Sequence, residues 1–372
     1  MKYSPQFYLL GLMLLLLSAC MPVKSIFLLG PDRHGLKRFP NKPILADSQD
    51  CFTFSKDTVD WGNRIRVNDW TKDIPFFVPL DELTQSHKVR SCIVIRNDSI
   101  LYEYYGRKTH PESLHSSYSI AKSITSALIG IAIAEGHIAS EKDLVKKYLP
   151  NLKAEQPYWE LLTIEHLLNH TSGIQYSLSL DATIYYGDNL MKGIERIKFA
   201  MRPGLKQHYI NVNVQLLGLV LKAATQQTPA AYLQQKLWQP LGMCSDAVWS
   251  TDRKGNEKTF CCLGATALDY AKFGRLFLNG GNWNGQQIIS PSWYQKSIAR
   301  DTSAGSSFNY NYCWHIGRKE YGDYMAIGMY KQHIYINPKH NIIIVLLNDQ
   351  EAPLRAERVV WWDVFRQIVD QL

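Results

Sequence analysis

The chain has 372 residues, enough for two or three ordinary cores or one two-lobed enzyme. Hydrophobic residues at 46%, charged at 20% and aromatic at 12% exclude wholesale disorder and collagen-like repetition. The net charge of +8 is spread thinly, with no basic run that would follow a phosphate backbone, so nucleic acid is not an expected partner.

Lys2 precedes an apolar stretch, Phe7 to Leu17, broken only by Gly11. It falls short of the roughly 20 residues that span a bilayer but has the length of a signal-peptide core. It runs into Leu17-Ser18-Ala19-Cys20, which resembles a bacterial lipobox. On this reading residues 1–19 are a lipoprotein signal peptide, and Cys20 is lipidated and anchors the protein to a membrane. The protein then belongs to the bacterial cell envelope, facing the periplasm or the exterior. Met21, where an Asp would signal inner-membrane retention, favours the outer membrane in a Gram-negative cell. An ordinary signal peptide ending near a cysteine, or an uncleaved anchor, fits the same residues.

The other cysteines are Cys51, Cys92, Cys244, Cys261, Cys262 and Cys313. An exported chain meets an oxidising compartment, and Cys244 with Cys261 or Cys262 is the expected bridge because it closes a short loop. No C-x-x-C pair points to a metal. Residues 20–70, rich in Pro, Gly and mixed charge, read as tether and lead-in, and 71–372 as one domain.

Cys92 to Arg96, Asn97-Asp98 and Ser99 to Tyr104 read as strand, tight turn, strand. Helices are expected over Ile120 to Glu135, Leu161 to Asn169, Val212 to Thr225, Ala230 to Leu237 and Thr266 to Leu278. Ile334 to Ile336 and Ile342 to Leu347 read as strands, and Arg355 to Leu372 has helical spacing. Strands at both ends of a helical centre predict an α+β fold. Its antiparallel sheet is flanked by helices, with a helical lobe inserted over roughly 125–260.

Ser119-Ile120-Ala121-Lys122 is an S-x-x-K tetrad at the start of the first helix. Lys122, one turn on, reaches the Ser119 hydroxyl, and its apolar surroundings lower an amine pKa. The plainer role for Ser119 is a helix N-cap. His166 and His170 have the i,i+4 spacing of a zinc pair, but Leu167 stands where a metalloprotease needs Glu. Tyr310, Tyr312, Trp314 and His315 alternate like a strand, as core or as a pocket wall.

Tyr118 to Leu128 resembles the nucleophile segment of serine β-lactamase-like hydrolases. The likeness is to class C β-lactamases and their esterase and 6-aminohexanoate-dimer hydrolase relatives. It continues through Leu162 to Gly173 (the T-I-x-H-L-L-x-H-T-S-G element), Pro203-Gly204 with Tyr209-Ile210-Asn211 (P-G … Y-x-N) and Gly264 to Gly274 (T-A-x-D-L-A-x-F-G). The resemblance implies a β-lactamase/transpeptidase-like fold, a Ser119 nucleophile, proton transfer by Lys122 and Tyr209, and Asn211 beside the lysine and the substrate. A phenol beside an ammonium is expected to shift toward phenolate. Ala326-Ile327-Gly328 stands at the family's K-T-G element, so the resemblance places an oxyanion hole at the amides of Ser119 and Met329, next to Gly328. Ala326 cannot supply the lysine that holds a substrate carboxylate, and Lys331 is a nearby cation. The expectation is an envelope serine hydrolase acting on a small ester, amide or peptide with neither metal nor organic cofactor. The alternatives are a D,D-carboxypeptidase or β-lactamase, and a non-catalytic cell-wall-binding lipoprotein.

Overall fold

Residues 342–347, Ile-Ile-Ile-Val-Leu-Leu, are apolar at every position, which suits a strand covered on both faces. The computed structural model describes residues 35–47, 49–69, 76–152, 158–303, 305–349 and 360–372. In it this segment is a central strand of an eight-stranded sheet. The strands are β1 (Ser55–Lys56), β2 (Ser91–Arg96), β3 (Ser99–Tyr105), β4 (Tyr310–Asn311), β5 (Trp314–Ile316), β6 (Tyr324–Gly328), β7 (Gln332–Asn337) and β8 (Ile342–Leu347). Their spatial order is β4-β5-β6-β7-β8-β2-β3-β1. Every neighbouring pair is antiparallel except β1 with β3. Asn97 and Asp98 both have positive φ, as a two-residue hairpin turn between β2 and β3 requires.

Side chains alternate across β8. Ile342, Ile344 and Leu346 join Val94, Tyr335 and the terminal helix residues Val364, Phe365 and Ile368 in one core. Ile343, Val345 and Leu347 face the other core, shared with Ile124, Leu128, Phe273 and Phe277. Five helices are used below: α1 (Ile120–Ala134), α2 (Leu178–Tyr186), α3 (Asn211–Thr225), α4 (Ala267–Leu278) and α5 (Trp361–Val369). The expected helix over Leu161 to Asn169 is a 3-10 turn followed by Ile164–Leu168, capped by Thr163. That over Ala230 to Leu237 is Pro229–Leu233 running into a π turn. The expected terminal helix is described only from residue 360.

Two expectations are corrected. First, the lead-in assigned to 20–70 is built into the fold from residue 35, and Cys20 lies outside the described residues. Strand Asn41–Ile44 pairs with Ala247–Ser250 in a second, four-stranded sheet, and β1 edges the main one. Second, Cys244 bonds Cys51, and Cys261 bonds its neighbour Cys262. Pairing of Ala247–Ser250 with Leu263–Ala265 sets Cys262 opposite Ser250, at the far end of the strand from Cys244. Cys244 instead faces the chain at Phe52, whose amide donates to the Gly242 carbonyl at 2.9 Å. Cys92 and Cys313 are buried free thiols.

Candidate active site

The segment before α1 is pinned on both sides. Ser117 donates its amide to the Leu263 carbonyl at 2.7 Å, and its hydroxyl accepts from the Leu263 amide at 3.1 Å. Tyr118 then adopts φ +42, a strained region for an aromatic residue, with its ring 4.9 Å from that of Tyr330. This turn delivers Ser119 to the N-cap position of α1. The capping role is not taken up: the Ser119 side chain makes no cap hydrogen bond. Its hydroxyl instead accepts from Lys122 Nζ at 2.8 Å.

α1 is buried almost all round, so Lys122 on it is buried too, at 1% exposure. Its ammonium donates to Ser119 Oγ, to Asn211 Oδ1 at 2.9 Å and to the Phe260 carbonyl at 3.0 Å. Burial lowers its pKa to about 7, against weaker opposing influences from Cys313 and Asp181. The geometry makes the neutral form useful. A free amine has two N–H groups and one lone pair. Asn211 Oδ1 and the Phe260 carbonyl can only accept, so they take both N–H groups and leave the lone pair facing Ser119. Asn211 opens α3 and is itself held from the other side, its Nδ2 donating to Asp181 Oδ2 at 3.4 Å.

Tyr209 completes the cluster. Its phenol hydrogen-bonds Ser119, and its ring centroid lies 4.9 Å from Lys122 Nζ. The residue is 42% exposed overall, but crowding at its hydroxyl end raises the phenol pKa. The expected drift toward phenolate is therefore corrected. Desolvation is the dominant influence on the phenol, and Tyr209 stays protonated. Among the sequence candidates, Ser119, Lys122, Tyr209 and Asn211 are brought into direct contact.

β6 carries the remaining candidates. Gly328 ends it, and a Cβ there would lie 2.4 Å from the Ser117 carbonyl, so only glycine lets the strand end abut the Ser117–Ser119 segment. Met329 follows and is 48% exposed. The Ser119 amide, at the helix start, has no intrahelical acceptor. Ala326 points into the core at 0% exposure and offers the site no charge. Lys331 sits in the β6–β7 turn with φ +65.

Asp181 escapes sequence reasoning, and His170, Tyr310 and His315 take places that it left open. Asp181 is the sole acidic residue of α2, and burial raises its pKa. His170 stacks on Tyr209 at 4.5 Å, and Tyr310 meets both rings edge-on. His315 lies against Tyr310 at 4.9 Å, and burial lowers its pKa to about 4. The lone acid on an apolar helix was the one available signal. Of the aromatic group, Trp314 is core and Tyr310 walls the site. His166 and His170 do not converge as a metal pair. His166 Nδ1 engages Thr163, and His170 Nδ1 accepts from the Ile210 amide.

The sheet, the inserted helices and the serine–lysine–tyrosine cluster define a β-lactamase/transpeptidase-like fold. The Beta-lactamase family model matches residues 82–366, and the chain belongs to that family. It is 24% identical over 288 residues to the 6-aminohexanoate-dimer hydrolase of Paenarthrobacter ureafaciens, covering 70% of this chain and 72% of that one. Among solved structures it is similar to a "Putative 6-aminohexanoate-dimer hydrolase from Bacillus anthracis". The TM-score is 0.80 at 23% identity, over 91% of this chain and 92% of the other. It is also similar to the D-alanine carboxypeptidase AmpC of Burkholderia cenocepacia, with TM-score 0.58 at 16% identity, over 79% and 97%. Both structural likenesses are likenesses of fold.

Proposed function

We propose that the protein is a serine hydrolase that cleaves an ester or amide bond through an acyl-enzyme on Ser119. The observation that carries this is the buried Lys122, within hydrogen-bond distance of Ser119 Oγ and held by two groups that can only accept. Ser119 attacks the carbonyl as its proton passes to the Lys122 amine. Tyr209 gives its proton to the leaving group and is reprotonated from Lys122. Water then attacks the acyl-enzyme, its proton passing to Lys122 and on to the departing Ser119 oxygen. The developing oxyanion is assigned to the amides of Ser119 and Met329.

The uncharged, buried Ala326 favours substrates without a carboxylate beside the scissile bond. A simple ester or amide suits this site better than a β-lactam, in keeping with the likeness to a protein named 6-aminohexanoate-dimer hydrolase. We further propose that the mature chain is held in the bacterial envelope by a lipid on Cys20. A Cys20→Ser variant that stays in the membrane fraction after alkaline extraction would count against the anchor.

The test is labelling with a fluorophosphonate probe and peptide mapping. The expected result is one adduct on Ser119 that is absent from Ser119→Ala. Folded protein that stays unlabelled would remove the hydrolase reading and leave a wall-binding role.

A further inference from the structure

Tyr209 follows a loop, and a loop tyrosine needs something to fix its hydroxyl on Ser119. One residue meets it on three sides. The main-chain carbonyl of His170 accepts from the His208 amide at 2.8 Å. Its ring Nδ1 accepts from the Ile210 amide at 3.2 Å and from Asn213 Nδ2 at 3.1 Å. Its ring lies against the Tyr209 ring at 4.5 Å, with 23° between the planes. The backbone on either side of Tyr209 and the face of its ring are thus tied to a single residue, the ring taking Ile210 and the Tyr209 face and the main chain taking His208.

The position is an awkward one for histidine. His170 has φ +57 and 0% exposure, and its Nε2 is buried without a hydrogen-bond partner among the described residues. Two N–H donors at Nδ1 put the ring proton on that orphaned Nε2. Asn adopts this backbone conformation more readily, and an apolar side chain leaves no orphaned N–H. Asn cannot stack, and an apolar side chain cannot accept from Ile210. Histidine combines a flat ring with an acceptor at its near edge.

We infer that His170 is the positioning residue for Tyr209, holding the phenol in register with Ser119 while touching neither substrate nor nucleophile. The inference rests on the proton-transfer role proposed above for Tyr209. A displaced phenol hinders proton delivery to a poor leaving group most, so the alcohol released should decide how far the rate falls.

The test compares the full-length protein with His170→Leu and His170→Asn, each alone and combined with Tyr209→Phe. Ethyl butyrate and p-nitrophenyl butyrate are the probes, and thermal melts check folding. His170→Leu is expected to lower kcat on ethyl butyrate roughly 10²-fold with KM little changed. The loss should be smaller on p-nitrophenyl butyrate, whose leaving group needs no proton. His170→Asn, which keeps an acceptor and tolerates the backbone, is expected to recover part of the loss. In the Tyr209→Phe background neither change should cost more. A silent His170→Leu, an equal loss in the Tyr209→Phe background, or no recovery with Asn would each overturn the inference. If Tyr209→Phe alone leaves ethyl butyrate turnover intact, the proposed role of Tyr209 fails, and the inference fails with it.

Discussion

Lys122 and Lys258 are both buried, at 1% and 0% exposure, and burial lowers the pKa of each to about 7. Their neighbours differ. Lys122 faces a serine hydroxyl, an amide oxygen and a carbonyl. Lys258 donates to the Thr251 carbonyl at 3.0 Å and sits over the Phe39 ring at 3.3 Å from its centroid. A neutral amine does chemistry only where a proton donor stands beside it. Lys258 has an acceptor and a ring face, so its shifted pKa marks structure and not catalysis, although the two lysines titrate alike.

Substitution separates the two most sharply. Lys122→Met is expected to lower kcat/KM about 10³-fold on any ester the enzyme turns over, the scale of a lost general base. Lys258→Met is expected to leave kcat/KM unchanged. Comparable losses in both would erase the distinction.

The pH dependence is the next discriminator. Lys122 is the free amine above its lowered pKa, so kcat/KM is expected to rise with pH through about 7 and then level off. Asn211→Leu removes an acceptor that favours the charged amine. It should move that limb to lower pH and reduce kcat/KM by up to about tenfold. A limb unmoved by Asn211→Leu would place the titrating group elsewhere. Lys258→Met should not shift it.

The smallest effect is on stability. Between about 7 and the ordinary lysine value, the unfolded chain binds a proton at residue 258 that the folded chain does not. Folding stability therefore rises with pH across that window, and the charge-burial penalty is full below it. The change in Tm caused by Lys258→Met is expected to be more favourable at pH 6 than at pH 10. Equal changes at both would show that Lys258 titrates normally.

The parts of this site that follow local rules were legible in the sequence. Ser119 and Lys122 share a helix turn, Tyr209 and Asn211 flank a helix start, and the unbroken apolar run from Ile342 to Leu347 reads as a strand. What required the folded chain depends on distant segments. Asp181 reaches the site only because α2 packs beside α3, and Cys51 meets Cys244 across a sequence separation of 193. His170 is legible in the sequence only as half of a histidine pair, and its hold on residues 208–210 has no sequence spacing of its own. The Tyr209 phenol was misjudged because charge attraction is visible in a list of residue types and desolvation is not.

The Cys51–Cys244 bridge spans 193 positions, and the loop it closes contains Ser119, Lys122, Tyr209 and Asn211. Tension applied between the two ends of the chain passes from Cys51 directly to Cys244. The backbone between them is bypassed, and load reaches the enclosed residues only through the sheet they share with the outer strands. Pulled by its ends under oxidising conditions, the protein should extend less than its reduced form by roughly 3.5 Å for each bypassed residue. The bypassed stretch would remain slack, but Phe260, Gly328 and Met329 lie outside it, so unravelling of the outer segments would still take the site apart.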